Sequence, residues 1–181
     1  MAVKTWSTGE LLTNVDANTY AANSGLVYVK SQTIGTAVTA VSVSDAFSDT
    51  YDAYRIVVAG GTSSAAISPA MTLGASTTSY YWSLALVNYS DGTTGGLAGN
   101  NVASWTIGGG TGPAFAFTVE LVNPFLARPT LFRNFDSNTT AQARHFGGIH
   151  GASTSYTSFT ITAPSGTLTG GTITVYGYRK A

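Results

Sequence analysis

From Leu26 onward the chain alternates apolar and polar residues with period two. Period two places alternate side chains on opposite faces of a strand, so the pattern constrains the chain to half-buried β-structure. The clearest runs are Phe115-Ala-Phe-Thr-Val-Glu-Leu, Phe159-Thr-Ile-Thr and Thr172-Ile-Thr-Val-Tyr-Gly-Tyr. Their Val, Ile, Thr and Tyr suit a pleated sheet surface. Strands are predicted over 27–29, 37–43, 54–58, 66–73, 80–89, 102–107, 115–122, 131–135, 143–149, 158–162 and 172–178. Gly-Gly, Asp-Gly, Gly-Asn-Asn, Gly-Gly-Gly and Pro-Ser-Gly punctuate them with turn chemistry. Residues 91–99, rich in Gly and Thr, read as a loop. About ten short strands with no helix between them imply an all-β antiparallel sandwich or barrel. A jelly roll of two four-stranded sheets plus extras fits the count best. An immunoglobulin-like sandwich is the alternative, although its Cys–Trp–Cys core is absent.

The first 25 residues read differently. Thr13 can accept a hydrogen bond from a free backbone N–H at a helix start, and Asp16 puts a negative charge in the first turn. Leu12 and residues 14–22 supply a short helix that Gly25 ends. A helix of about two turns does not hold itself in water, so it must dock on something. The expected organisation is an N-terminal arm over 1–25 and one sandwich domain over 26–181.

Composition narrows the function. Only 9% of residues are charged, against about a quarter in an ordinary globular protein. Ser, Thr, Asn and Gly must then supply the polar surface. Such a surface suits a protein packed among neighbours better than one protected by charge repulsion. Net charge is zero and no basic run exists, so neither nucleic-acid binding nor membrane insertion is expected. Arg128, Arg133 and Arg144 read as scattered surface or interface arginines. With no cysteine, disulfides and thiol chemistry are excluded. Residues 1–10 hold no apolar core of signal-peptide length.

No catalytic, cofactor or metal site is expected. His145 and His150, five apart on one strand, should point to opposite faces, which is wrong for a shared metal. Asp45, Asp49 and Asp52 precede a strand without EF-hand spacing, so turn and cap roles outweigh calcium binding. Gly108-Gly109-Gly110-Thr111-Gly112-Pro113 is loop chemistry and not a nucleotide cradle. No Gly-x-Ser-x-Gly elbow or P-loop lysine is present. Glu120, with Asp136 or Asp91 as partner, is the one conceivable carboxylate acid of a small carbohydrate-active protein. Aromatics reach 12%. Tyr80, Tyr81 and Trp82 are consecutive, so at least one ring must leave the core face. Tyr89 and Trp105 read as loop-proximal rings near Asn and Asp, candidates for stacking on a glycan or for an interface. Packing in the core or in a subunit seam is the competing reading.

The segment Lys4-Thr-Trp-Ser-Thr-Gly-Glu-Leu-Leu-Thr-Asn-Val-Asp-Ala-Asn18 resembles a leader common in bacteriophage tail-fibre and other small virion proteins. That leader reads Trp, two residues, Gly-Glu, an aliphatic, Leu-Thr, two residues, Asp, one residue, Asn. Trp6, Gly9, Glu10, Leu12, Thr13, Asp16 and Asn18 match it, while Ala17 stands where Leu is usual. Tyr51-Asp-Ala-Tyr-Arg-Ile-Val57 and Gly171-Thr-Ile-Thr-Val-Tyr-Gly177 resemble two strands of the same proteins; 74–150 has no such match. The resemblance implies a non-enzymatic virion component on the particle exterior, commonly trimeric, attached near its leader to other virion proteins. Two placements follow: a tail-fibre or tail-accessory protein that contacts the host surface, or a capsid decoration protein bridging capsomers. In either, Trp6 is a large amphipathic anchor of the kind that dominates interfaces.

Overall fold

The computed structural model describes residues 7–11, 13, 25–109, 115–136 and 141–180. Among them there is no helix, and every strand pair is antiparallel. The expected arm helix, with Trp6, Leu12, Asp16 and Asn18, lies outside the described residues. Thirteen strands follow in order. They are β1 (Leu26–Thr33), β2 (Ala40–Val43), β3 (Tyr51–Ser63), β4 (Ala70–Leu73), β5 (Tyr80–Asn88), β6 (Thr94–Val102) and β7 (Trp105–Thr106). The rest are β8 (Phe115–Val122), β9 (Thr130–Asp136), β10 (Gln142–His150), β11 (Phe159–Thr162), β12 (Leu168–Thr169) and β13 (Thr172–Arg179).

The chain is an all-β sandwich of unequal sheets. The large sheet has nine strands in the order β1-β13-β3-β8-β9-β10-β5-β6, with β12 paired to β3. The small sheet has four, in the order β2-β11-β4-β7. The extras beyond the expected two four-stranded sheets thus all fall on one sheet. One of them is β6. The segment 91–99 is not the expected loop but a tight turn followed by a strand, which extends the large sheet. Gly92, at φ +71°, closes that turn, and Asn88 N–H donates to Thr93 O. Two glycines of β6, Gly95 and Gly99, lie under side chains of β5. A side chain at 99 would run into the Trp82 indole, and one at 95 would press on Leu86.

Alternation builds the core. On β8, Phe115, Phe117, Val119 and Leu121 are buried, while Thr118 and Glu120 turn outward. Tyr54, Ile56 and Val58 of β3 and Ile173 and Val175 of β13 extend the same inner face. The small sheet answers with Val41, Val43, Met71, Leu73, Phe159 and Ile161, in one continuous cluster. Burying each such side chain is worth about 1.5–3 kcal/mol. Buried phenols are satisfied: Tyr54 donates to Ser48 O, and the Tyr80 oxygen accepts from Leu73 N–H.

Candidate functional site

The leader enters the description at one turn. Glu10 N–H donates to Ser7 O at 3.0 Å, and the Glu10 carboxylate accepts from Ser7 N–H at 3.1 Å. Gly9 stands third in that four-residue turn at φ +87°, the left-handed position that a type II turn gives to glycine. The Gly-Glu pair of the leader thus has a local physical role, one residue for the turn and one to close it. The two strand motifs also meet. Residues 51–57 lie on β3 and 171–177 at β13, which are paired along their length. Gly177 faces inward under the Tyr51 ring, where any side chain would collide.

The outer face of the large sheet is not covered by the small one. One level across seven strands runs Leu26, Tyr178, Ala53, Val122, Leu131, Ile149 and Tyr81, each the register partner of the next. Leu131 is 46% exposed and Val122 43%. The next level holds Tyr28, Tyr176, Arg55, Glu120 and Arg133. A shallow cleft of about 390 Å³ opens here between Arg55, Thr118, Glu120, Arg133, Phe135 and His145.

Glu120 is the centre of this level. Its carboxylate accepts from the Tyr178 hydroxyl at 2.6 Å and from Arg133 Nε at 2.5 Å. The Tyr178 hydrogen bond, followed by those of Arg133 and the nearby Arg55 charge, holds the Glu120 carboxyl below its ordinary value, against the opposing effect of burial. Tyr178 is raised in turn, by burial first and then by its bond to Glu120. A group held ionised in this way is poorly suited to donate a proton as a general acid. Its imagined partners are elsewhere. Asp136 has the opposite parity on β9 and is buried on the inner face. Asp91 sits in the β5–β6 turn, bonded to Thr93.

The inner face carries its own polar cluster. Asp136 accepts two hydrogen bonds from Arg144 Nη2, at 2.8 and 3.0 Å, and one from Arg144 Nε. Gly109 N–H donates to the same carboxylate at 2.7 Å, and Asn134 Nδ2 donates to Ile107 O. Together they pin the segment after β7 to β9 and β10. Arg133 and Arg144 thus face opposite ways, and no basic patch forms from them.

Trp105 is not at the surface. It is fully buried on β7, edge-on to Tyr80 at 5.1 Å and tilted against Phe132 of the large sheet at 4.7 Å. Its ring fills the seam between the sheets and is closed to a receptor, contrary to the expectation of a loop-proximal ring. Tyr89 is 52% exposed at the β5–β6 turn. Of the aromatic triplet, Tyr80 is buried and Tyr81 turns outward. The histidines do point opposite ways, His145 outward and His150 inward. His150 stacks on Tyr80 at 4.2 Å, with Nε2 2.7 Å from the Tyr156 hydroxyl and Nδ1 3.2 Å from Ser79 O. Burial lowers its pKa below the ordinary 6.5. The aspartates around the start of β3 disperse: Asp45 lies 3.9 Å from Lys30 and Asp52 2.9 Å from Lys180. No cluster of three metal-ligating side chains exists among the described residues.

No family model matches the chain. A search of curated proteins likewise finds no match.

Proposed function

We propose that this chain is a non-enzymatic structural protein of a bacteriophage virion, a tail-fibre or tail-accessory component attached through its N-terminal arm. The observation that carries the reading is the leader, Trp6, Gly9, Glu10, Leu12, Thr13, Asp16 and Asn18, whose Gly9–Glu10 pair makes a self-closed turn. A low-charge sandwich with an apolar outer level is consistent with life in an assembly. The surroundings of Glu120 weigh against a glycan-cleaving role, since an ionised carboxylate with an arginine on it has no proton to give. In this reading the protein sits on the exterior of the particle, bound to other virion proteins as a trimer, with host-surface contact left to exposed rings such as Tyr89.

The test is the copy number per particle, from quantitative mass spectrometry of purified virions. A few to some tens of copies is the expected result. Hundreds would overturn the tail placement in favour of a decoration protein bridging capsomers. Absence from the particle would overturn both. Deleting residues 1–24 should leave a sandwich that melts at nearly the parent temperature and fails to join the particle.

A further inference from the structure

We infer that the free edge of β6 is a strand-pairing site for a second copy of this chain, two β6 strands meeting antiparallel about a two-fold axis at Leu97. The inference rests on the edge itself and not on the virion reading. β6 ends the strand order of the large sheet, so one side of it has no partner strand among the described residues. Exposed edges present a row of unpaired N–H and C=O groups, and proteins usually guard them with charge, proline, bulges or shortness. The other edges here are guarded. β1 carries Lys30 and a register break between Tyr28 and Lys30. β2 has four residues and β7 two.

β6 has none of these guards over most of its length. Its register break falls late, opposite Tyr80 and Trp82, and leaves 94–99 regular. No charged residue or proline occurs from Gly92 to Gly112. The Asn88–Thr93 hydrogen bond fixes which groups are free. Hydrogen-bonded and non-bonded pairs alternate in an antiparallel ladder. Leu86–Gly95, Leu84–Leu97 and Trp82–Gly99 are therefore the bonded pairs with β5, and the backbone of Thr94, Gly96 and Ala98 points away from it.

A second copy fits this edge better than an unrelated strand because the edge is complementary to itself. With the axis at Leu97, Gly96 bonds to Ala98 of the partner copy and Ala98 to its Gly96. Leu97 then faces its own counterpart in a non-bonded pair, the type in which side chains approach most closely, with Cβ atoms about 5 Å apart. Any charge near a two-fold axis would meet its like, and β6 carries none. Leu97 is 63% exposed, while its register partner Leu84 is 7% exposed. It is the one large apolar side chain between Thr94 and Asn101, and Gly95 and Gly99 on the same face add no side chain of their own beside it.

The chain has no cysteine, which makes the test direct. Leu97→Cys, oxidised in solution, should run as a covalent dimer on a non-reducing gel, at least tenfold faster than Tyr89→Cys at the exposed turn. Leu97→Lys, at a position already in water, should keep the parent's circular dichroism and melting curve. In sedimentation it should lose the dimer, or halve the mass if a three-fold contact exists elsewhere. Equal cross-linking of the two cysteine variants, or a Leu97→Lys protein that sediments like the parent, overturns the proposal. So does a parent that shows no self-association while Leu97→Lys alone blocks incorporation into the particle, since the edge would then take a strand of another protein.

Discussion

Arg144 with Asp136, and Arg133 with Glu120, are two ion pairs on neighbouring strands, one turned into the sandwich and one turned out of it. The inner pair is 11% and 1% exposed at its side chains; the outer is 75% and 22% exposed. Both are close in space, so distance does not separate them. Solvent does. An exposed pair is screened and returns about 0–1 kcal/mol. A buried pair earns little over an apolar replacement, yet removing one partner strands the other charge without water at about 3–5 kcal/mol. Residue parity on β9, odd outward and even inward, assigns the two roles.

The largest expected effect is on the inner face. Asp136→Ala should lower unfolding stability by about 3–5 kcal/mol in a denaturant titration. It leaves the Arg144 guanidinium buried and frees Gly109 N–H from its acceptor. Adding Arg144→Met should restore much of the loss, because the stranded charge goes with it. A single-variant loss under 1 kcal/mol would erase the contrast between the faces. Trp105→Ala should cost a similar amount, about 3–5 kcal/mol, by opening a cavity between the sheets.

A smaller effect concerns pH. His150 is held neutral on the inner face, between Tyr80, Trp105 and Tyr156. Its folded pKa lies below the unfolded one, so between the two the unfolded chain binds more protons. The contribution is complete above about pH 6.5 and is lost as pH falls through that value toward the folded pKa. Melting temperature should therefore drop on acidification from pH 7 to 5. His150→Gln should flatten that slope; an unchanged slope would assign it to other groups. His145, facing outward on the same strand, supplies the control substitution.

Much of the large sheet was legible because alternation is a direct consequence of having one wet and one dry face. Phe115–Val122 is predicted and found with the same bounds, since inward Phe115, Phe117, Val119 and Leu121 alternate with outward Ala116, Thr118 and Glu120. β6 was not legible. Its glycines erase the alternation, and the reason for them lies on β5, where Trp82 and Leu86 need the space. Trp105 falls inside the predicted strand 102–107 yet reads as a loop-proximal ring, because the strand that forms there has two residues, too short for any period to mark its inward face. The Asp136–Arg144 pair escapes because charge alone argues for the surface. Only the parity shared with Phe132 and Asn134 points inward. Of the aromatic candidates, Tyr89 remains exposed and Trp105 does not.

The smallest expected effect is on the outer pair. Glu120→Gln should change stability by no more than about 1 kcal/mol at neutral pH, and the change should shrink further in high salt. Glutamine keeps an oxygen that accepts from Tyr178 Oη and loses only the charge that faces Arg133 and Arg55. The Glu120 pKa is depressed, so its contribution is present above the ordinary carboxylate value of 4.5 and fades as pH falls through the folded pKa. Parent and variant should thus differ slightly at pH 7 and converge in acid. The comparison would be sharpened by Arg133→Ala, which removes the more exposed partner and should cost no more than Glu120→Gln. A loss of several kcal/mol from either change, insensitive to salt, would mean that this face is covered in solution, because only a desolvated pair responds in that way.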